Sequence, residues 1–166
     1  VNTHLALKAT ADFLRDKSAY LEREVAMRTL EVQAIQDVTI MAMTSLAETR
    51  DNETGNHIRR TQLYVKTLAE RLRNHPRFES VLTERMIELL YKSAPLHDIG
   101  KIGIPDSILL KPGKLTVEEF EVMKTHTTLG RNAIEDAERR LGMRVAFLSV
   151  SKEIAYSHQE KWDGSG

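Results

Sequence analysis

The first fifty residues contain neither glycine nor proline. Nothing in that stretch stops an α-helix, and no alternating β-branched run offers a strand instead. Its apolar side chains recur in a rough heptad. Leu7, Leu14, Leu21 and Ile35 share one seam position, while Ala11, Val25 and Val32 share the other; Ser18 and Arg28 interrupt the pattern. Such a seam predicts a long helix that pairs with a second copy of itself as a parallel dimeric coiled coil. A helix packed on its own domain is the other reading. The expected organisation is a linker helix over 1–48 and a folded domain over 49–166.

The rest of the chain is also helical in pattern. Further helices are expected over about 56–73, 82–99, 117–140 and 144–160. The segment "RDNETGNH", the turn "HPRF" and a loop holding Pro105, Pro112 and Gly113 separate them. Thr116 followed by Glu119 has the spacing of a capping box. The fold class predicted is therefore all-α, a helical bundle preceded by a long N-terminal helix. Lys plus Arg and Asp plus Glu both number 24, so the net charge is zero, which argues against a polybasic nucleic-acid binder. There is no cysteine, which removes disulfides and thiolate metal sites and makes a cytoplasmic location the expectation. No apolar run has the length of a membrane span, and no signal peptide is visible. The chain opens on Val1 and stops within "KWDGSG", so a piece of a longer protein is expected.

Four histidines stand out. His4 and His75 lie in polar surroundings and read as surface residues, whereas His57, His97, His126 and His158 each fall near the end of a separate predicted helix. A bundle can gather such residues around one cavity. Glu53 and His57 are four apart and share a face if that segment is helical; the alternative is a set of acidic residues complementing a helix N-terminus. His97 and Asp98 are adjacent, about 100° apart on a helix. There a bridging carboxylate and an imidazole could serve neighbouring ions. Lys101 suits a phosphate oxygen rather than a metal. Without thiolates the donors are nitrogen and oxygen, which favours iron, manganese or zinc. Two such ions side by side suit phosphoester hydrolysis, because they activate water and offset charge at phosphorus. The stretch "LHDIGKIGIPDSIL" then reads as a helix ending at Ile99–Gly100, with its glycines either stopping the helix or letting backbone pass close to the site.

The motifs "RDNETGNHIRR", "LHDIGKIGIPDSILLKPGKLT", "MKTHTTLG" and "SHQEKWDGSG" together resemble the HD-GYP family, a branch of the HD metal-dependent phosphohydrolases. The resemblance covers residues 50–166. It implies a helical bundle around a centre of two or three divalent ions, commonly iron or manganese, and hydrolysis of cyclic di-GMP to pGpG, GMP or both. It implies metal-ligand positions at Glu53, His57, His97, Asp98, His126 and His158, with Asp98 as the bridging carboxylate and catalytic together with Lys101. Asp51 and Lys101 match residues beside the substrate phosphate. The N-terminal stretch is similar to the helix that joins a receiver or sensor domain to its output domain. Contact with diguanylate cyclase proteins is a further implied partnership.

Two departures stand out. The family has a second imidazole where this chain has Gln159, a weaker ligand, and the sequence stops before the Tyr-Pro of the family's Gly-Tyr-Pro motif. A further ligand Asp and basic substrate-binding residues would lie downstream. Gln159 supports the alternative function, a degenerate domain that binds the dinucleotide or a partner protein without catalysis.

Overall fold

The computed structural model describes residues 2–50 and 56–165; Asp51 and Glu53 lie outside the described residues. Six α-helices follow in order: α1 Asn2–Glu48, α2 His57–Leu72, α3 Glu84–Ser93, α4 Asp106–Leu109, α5 Val117–Leu141 and α6 Ala146–Ser157. Two 3₁₀ turns, Ala94–Leu96 and Ile99–Gly103, lie between α3 and α4. No strand occurs among the described residues, and none of their helices is long and apolar enough to cross a membrane. The chain divides into two compact units, Val1–Thr39 and Ile40–Gly166.

The first unit is a single stretch of helix whose heptad seam is exposed. Leu7, Leu14, Leu21 and Ile35 keep between 49% and 63% of their surface in solvent. Arg28, which interrupts the seam, is paired within its own helix to Glu24 and Glu31 at 3.3 and 2.9 Å.

In the second unit the closing turns of α1 present one face inward. Ile40 packs on the core, Thr44 is buried, and Glu48 lines a cavity described below. These positions are spaced i, i+4, i+8, one stripe of a helix. The core is formed by Leu96, Ile134 and Ala155, with Ile99, Phe147 and Leu148 packed around them. Thr116 caps α5 with both bonds of the capping box in place, and Gly142 ends that helix in the left-handed conformation at φ 72°. The start is the one the sequence predicts, and the glycine stop is left-handed backbone of the usual kind.

The helix expected over 82–99 is shorter: α3 ends at Ser93. The cause is Pro95, which has no N–H to give to the carbonyl of Tyr91 and whose ring clashes with a continuing α-helix. The released carbonyl does not go unsatisfied, as a buried backbone acceptor should not. Gln62 of α2 donates its side-chain amide to it at 3.1 Å. This explains why a polar residue, Gln62, takes a buried place on α2; Leu63 and Leu68 of the same helix stay largely exposed. His97 and Asp98 therefore sit in the link between two 3₁₀ turns, not on an α-helix. The glycines do not stop α3 either, and neither Gly100 nor Gly103 has a positive φ. Gly100 is there for space. A Cβ on it would lie 1.9 Å from the carbonyl oxygen of His126 and 2.5 Å from the amide nitrogen of Gly130. The second 3₁₀ turn rests directly on one turn of α5.

Pro105 precedes α4, and the Leu109 amide donates back to its carbonyl at 2.9 Å. Arg50 holds this loop. Its guanidinium donates to the carbonyls of Ile102 at 2.5 Å and Ile104 at 3.2 Å, and pairs with Asp106 at 2.5 Å.

Candidate metal centre

Three imidazoles converge on one carboxylate. Asp98 Oδ1 lies 3.4 Å from His126 Nε2 and 3.2 Å from His158 Nε2. Its other oxygen, Oδ2, lies 3.1 Å from His97 Nε2 and 2.9 Å from Lys101 Nζ. His126 comes from the middle of α5, and His158 is the residue that caps α6. The Lys101 amide donates to the Asp98 carbonyl at 2.9 Å, a 3₁₀ bond. Residues three apart eclipse in such a turn, which is why Lys101 stands over Asp98.

Each ring is oriented in the same way. Nδ1 of His97, His126 and His158 donates to the carbonyl three residues earlier, at Ala94, Met123 and Ala155, over 2.8, 2.7 and 3.1 Å. A carbonyl accepts only, so Nδ1 carries the proton and, in the neutral ring, Nε2 carries a lone pair. Backbone carbonyls in this role fix the tautomer and heading of metal-ligating histidines.

The protonation states of His126 and Asp98 suit ligands. Burial lowers the pKa of His126, keeping the ring neutral. Burial also works against the charged form of Asp98, but the surrounding His158, His97 and Lys101 outweigh it and hold the carboxyl well below the usual range. At His97 burial is again opposed, by the Asp98 carboxylate and the Ala94 carbonyl, and the net shift is upward.

The donor set fits a cation. Asp98 Oδ1 is buried and accepts no hydrogen bond. It faces two Nε2 atoms that are themselves 3.2 Å apart. Lone pairs crowded this way repel unless positive charge lies among them. Metal–ligand bonds of about 2.0–2.2 Å at near-tetrahedral or octahedral angles put neighbouring donors roughly 3.0–3.5 Å apart. Asp98, His126 and His158 thus form a group able to hold a metal ion.

His57 joins from α2. Its ring centroid is 5.7 Å from that of His97, and the two rings line a small cavity with Asp98, Lys101, Thr44 and Glu48. That cavity, about 20 Å³, has room for one water- or ion-sized occupant. Glu48 was not singled out in the sequence; its only signal was a place in the Ile40–Thr44–Glu48 stripe. Arg50 was missed too, because its partners are 52 to 56 residues away. Gln159 lies outside this cavity and lines a neighbouring groove with Lys101 and His126. His4 and His75 are exposed, as expected.

The HD domain family matches residues 54–165. This chain belongs to it. The HD chain is 54% identical, over all 166 residues, to a probable cyclic di-GMP phosphodiesterase of Vibrio cholerae serotype O1, covering 38% of that relative. A cyclic di-GMP phosphodiesterase of the same organism is 61% identical over 136 residues, or 82% of this chain and 27% of its own length. A 3'3'-cGAMP-specific phosphodiesterase 2, also from Vibrio cholerae, is 40% identical over 124 residues, 75% of this chain and 21% of the relative. The chain thus spans well under half the length of these curated relatives.

Proposed function

We propose that this chain carries the hydrolytic centre of a cyclic di-GMP phosphodiesterase of the HD-GYP type, cutting the dinucleotide to pGpG, GMP or both. The observation that carries the reading is the convergence of three carbonyl-fixed Nε2 atoms on the half-buried Asp98 carboxylate. Asp98 turns one oxygen to His126 and His158 and the other to His97, the division a carboxylate shared between two ions requires. His57, His97, Asp98, His126 and His158 would hold two or three ions, with Glu53 a further ligand by the family resemblance. Nitrogen and oxygen donors favour iron or manganese. Such ions, when bound, activate water and offset charge at the phosphoryl group.

The chain's own residues supply the rest. The Ala94, Met123 and Ala155 carbonyls keep the imidazoles aimed. Lys101 balances the Asp98 carboxylate and would meet a non-bridging phosphate oxygen; by the family resemblance Asp51 would act at the same phosphate. Gln159, an amide, is a weaker donor than the imidazole of the family motif. It supports a second reading, a domain that binds the dinucleotide or a partner without cutting. The proposed setting is cytoplasmic, downstream of a receiver or sensor domain and in contact with diguanylate cyclase proteins.

The test is turnover by the full-length protein, with its metals measured in the same preparation. Cyclic di-GMP should be hydrolysed, chelation should abolish this, and iron or manganese should restore it. Binding without hydrolysis at full metal loading would leave the degenerate reading in its place.

The exposed seam of the first unit supports a dimer through paired N-terminal helices. Light scattering should report two copies, and Leu14→Asp with Leu21→Asp should give monomers, since two charges would enter an apolar seam. A wild-type protein that stays monomeric at high concentration removes the idea.

A further inference from the structure

The groove that begins at Lys101 and His126 runs on between α5 and the end of α6, and its volume of about 600 Å³ is that of a ligand cleft rather than an ion site. From α5 it takes Phe120 and Lys124, which share a helix face; from α6 it takes Tyr156 and, just beyond, Gln159. Lys161 closes the far side. The lining holds three lysines and one carboxylate, that of Glu160; Lys101 is also paired with Asp98 and Lys124 with Glu121, and the charge within the groove itself still favours an anion. It also offers two aromatic rings that the core does not use. Phe120 is 52% and Tyr156 49% exposed. Lys124 lies over the Phe120 ring at 5.4 Å, and Arg131 over the Tyr156 ring at 4.5 Å. Cation–π pairs of this kind are common on surfaces. Two of them at one groove that opens from the metal centre are less ordinary. Exposed rings interleaved with cations are how proteins hold unpaired bases and their phosphates.

We propose that this groove is the subsite for the part of the dinucleotide that is not being cut, a proposal that rests on the phosphodiesterase reading above. Phe120 and Tyr156 stack on a purine, and Lys124 and Lys161 meet the distal phosphate. Lys124, paired with Glu121, would exchange that partner for the phosphate. Gln159 lies where its amide reaches a base edge, able both to donate and to accept. In this arrangement the groove sets which cyclic purine dinucleotide is accepted, while the metal centre sets only that a phosphodiester is cut.

Two substrates separate the roles in the full-length protein. Cyclic di-GMP has bases to stack; bis(4-nitrophenyl) phosphate is a small diester without a nucleobase or a second phosphate. Phe120→Ala and Tyr156→Ala should each raise KM for cyclic di-GMP about tenfold or more, the loss expected for one base–aromatic stack, with kcat little changed. Lys124→Ala should raise it as well, and more at low salt than at high. Metal content and kcat/KM for the small diester should stay within about twofold of wild type. Equal losses on both substrates, or no loss on either, would overturn the subsite while the phosphodiesterase reading stands. A wild-type protein that cuts the small diester but no cyclic dinucleotide would defeat both.

Discussion

Asp98→Ala should empty the metal centre, and Lys101→Ala should not. The Asp98 carboxylate lies within 3.4 Å of three imidazole nitrogens and 2.9 Å from Lys101. No second carboxylate among the described residues joins the His126–His158 group. Removing it leaves two imidazoles facing each other across 3.2 Å with no anion between them. Loss of an outer partner to a ligand costs roughly 10–100-fold in metal affinity, and loss of a shared ligand should cost more. Activity should fall to background with it. Lys101 has no lone pair for a metal while charged, so Lys101→Ala should retain its ions. It should lose turnover on cyclic di-GMP and on a simple diester alike, because both present a phosphate oxygen. Elemental analysis of the two purified variants decides the division of roles. Metal stripped by Lys101→Ala, or retained by Asp98→Ala, would reverse it.

Gly100→Ala should do nearly as much damage without touching a ligand. The added methyl carbon would lie 1.9 Å from the carbonyl oxygen of His126 and 2.5 Å from the Gly130 nitrogen. Both are helix backbone and cannot swing aside as a side chain could. Either α5 or the 3₁₀ turn must retreat by more than 1 Å, and the 3.4 Å approach of His126 to Asp98 opens. We expect a destabilisation of about 1–3 kcal/mol from over-packing, with metal affinity at least tenfold lower, comparable to loss of an outer partner. Gly103→Ala is the internal control. Its methyl would meet only the Leu129 Cδ1 at 2.9 Å, the end of a flexible side chain. It should cost less than about 1 kcal/mol and leave metal content unchanged. Denaturant melts and metal titrations on the two alanine variants read both effects. Equal behaviour of the two would show that close approach at Gly100 does not set the site.

The sequence by itself determined what depends on near neighbours along the chain. The long helix of 47 residues falls within a stretch without glycine or proline, Thr116 and Glu119 start α5, and Gly142 stops it. These are decided within about one helical turn, by caps, backbone freedom and periodicity. The histidines were also legible as candidates, His57, His97 and His158 from places near predicted helix ends; His126, expected there too, lies in the middle of α5.

What the tertiary structure decided is everything that needs two distant segments at once. Pro95 could be read as a breaker, but not that Gln62 of α2 would take up the carbonyl it releases. Gly100 could be read as a gap, but not that α5 would fill it at His126 and Gly130. His126 and His158 are 32 residues apart in sequence, yet their ring nitrogens are 3.2 Å apart. That distance follows from how α5 and α6 cross over a core of Leu96, Ile134 and Ala155. Helix periodicity gives each side chain a face but not a partner. Only packing of the faces, side chain against side chain, sets which of them meet.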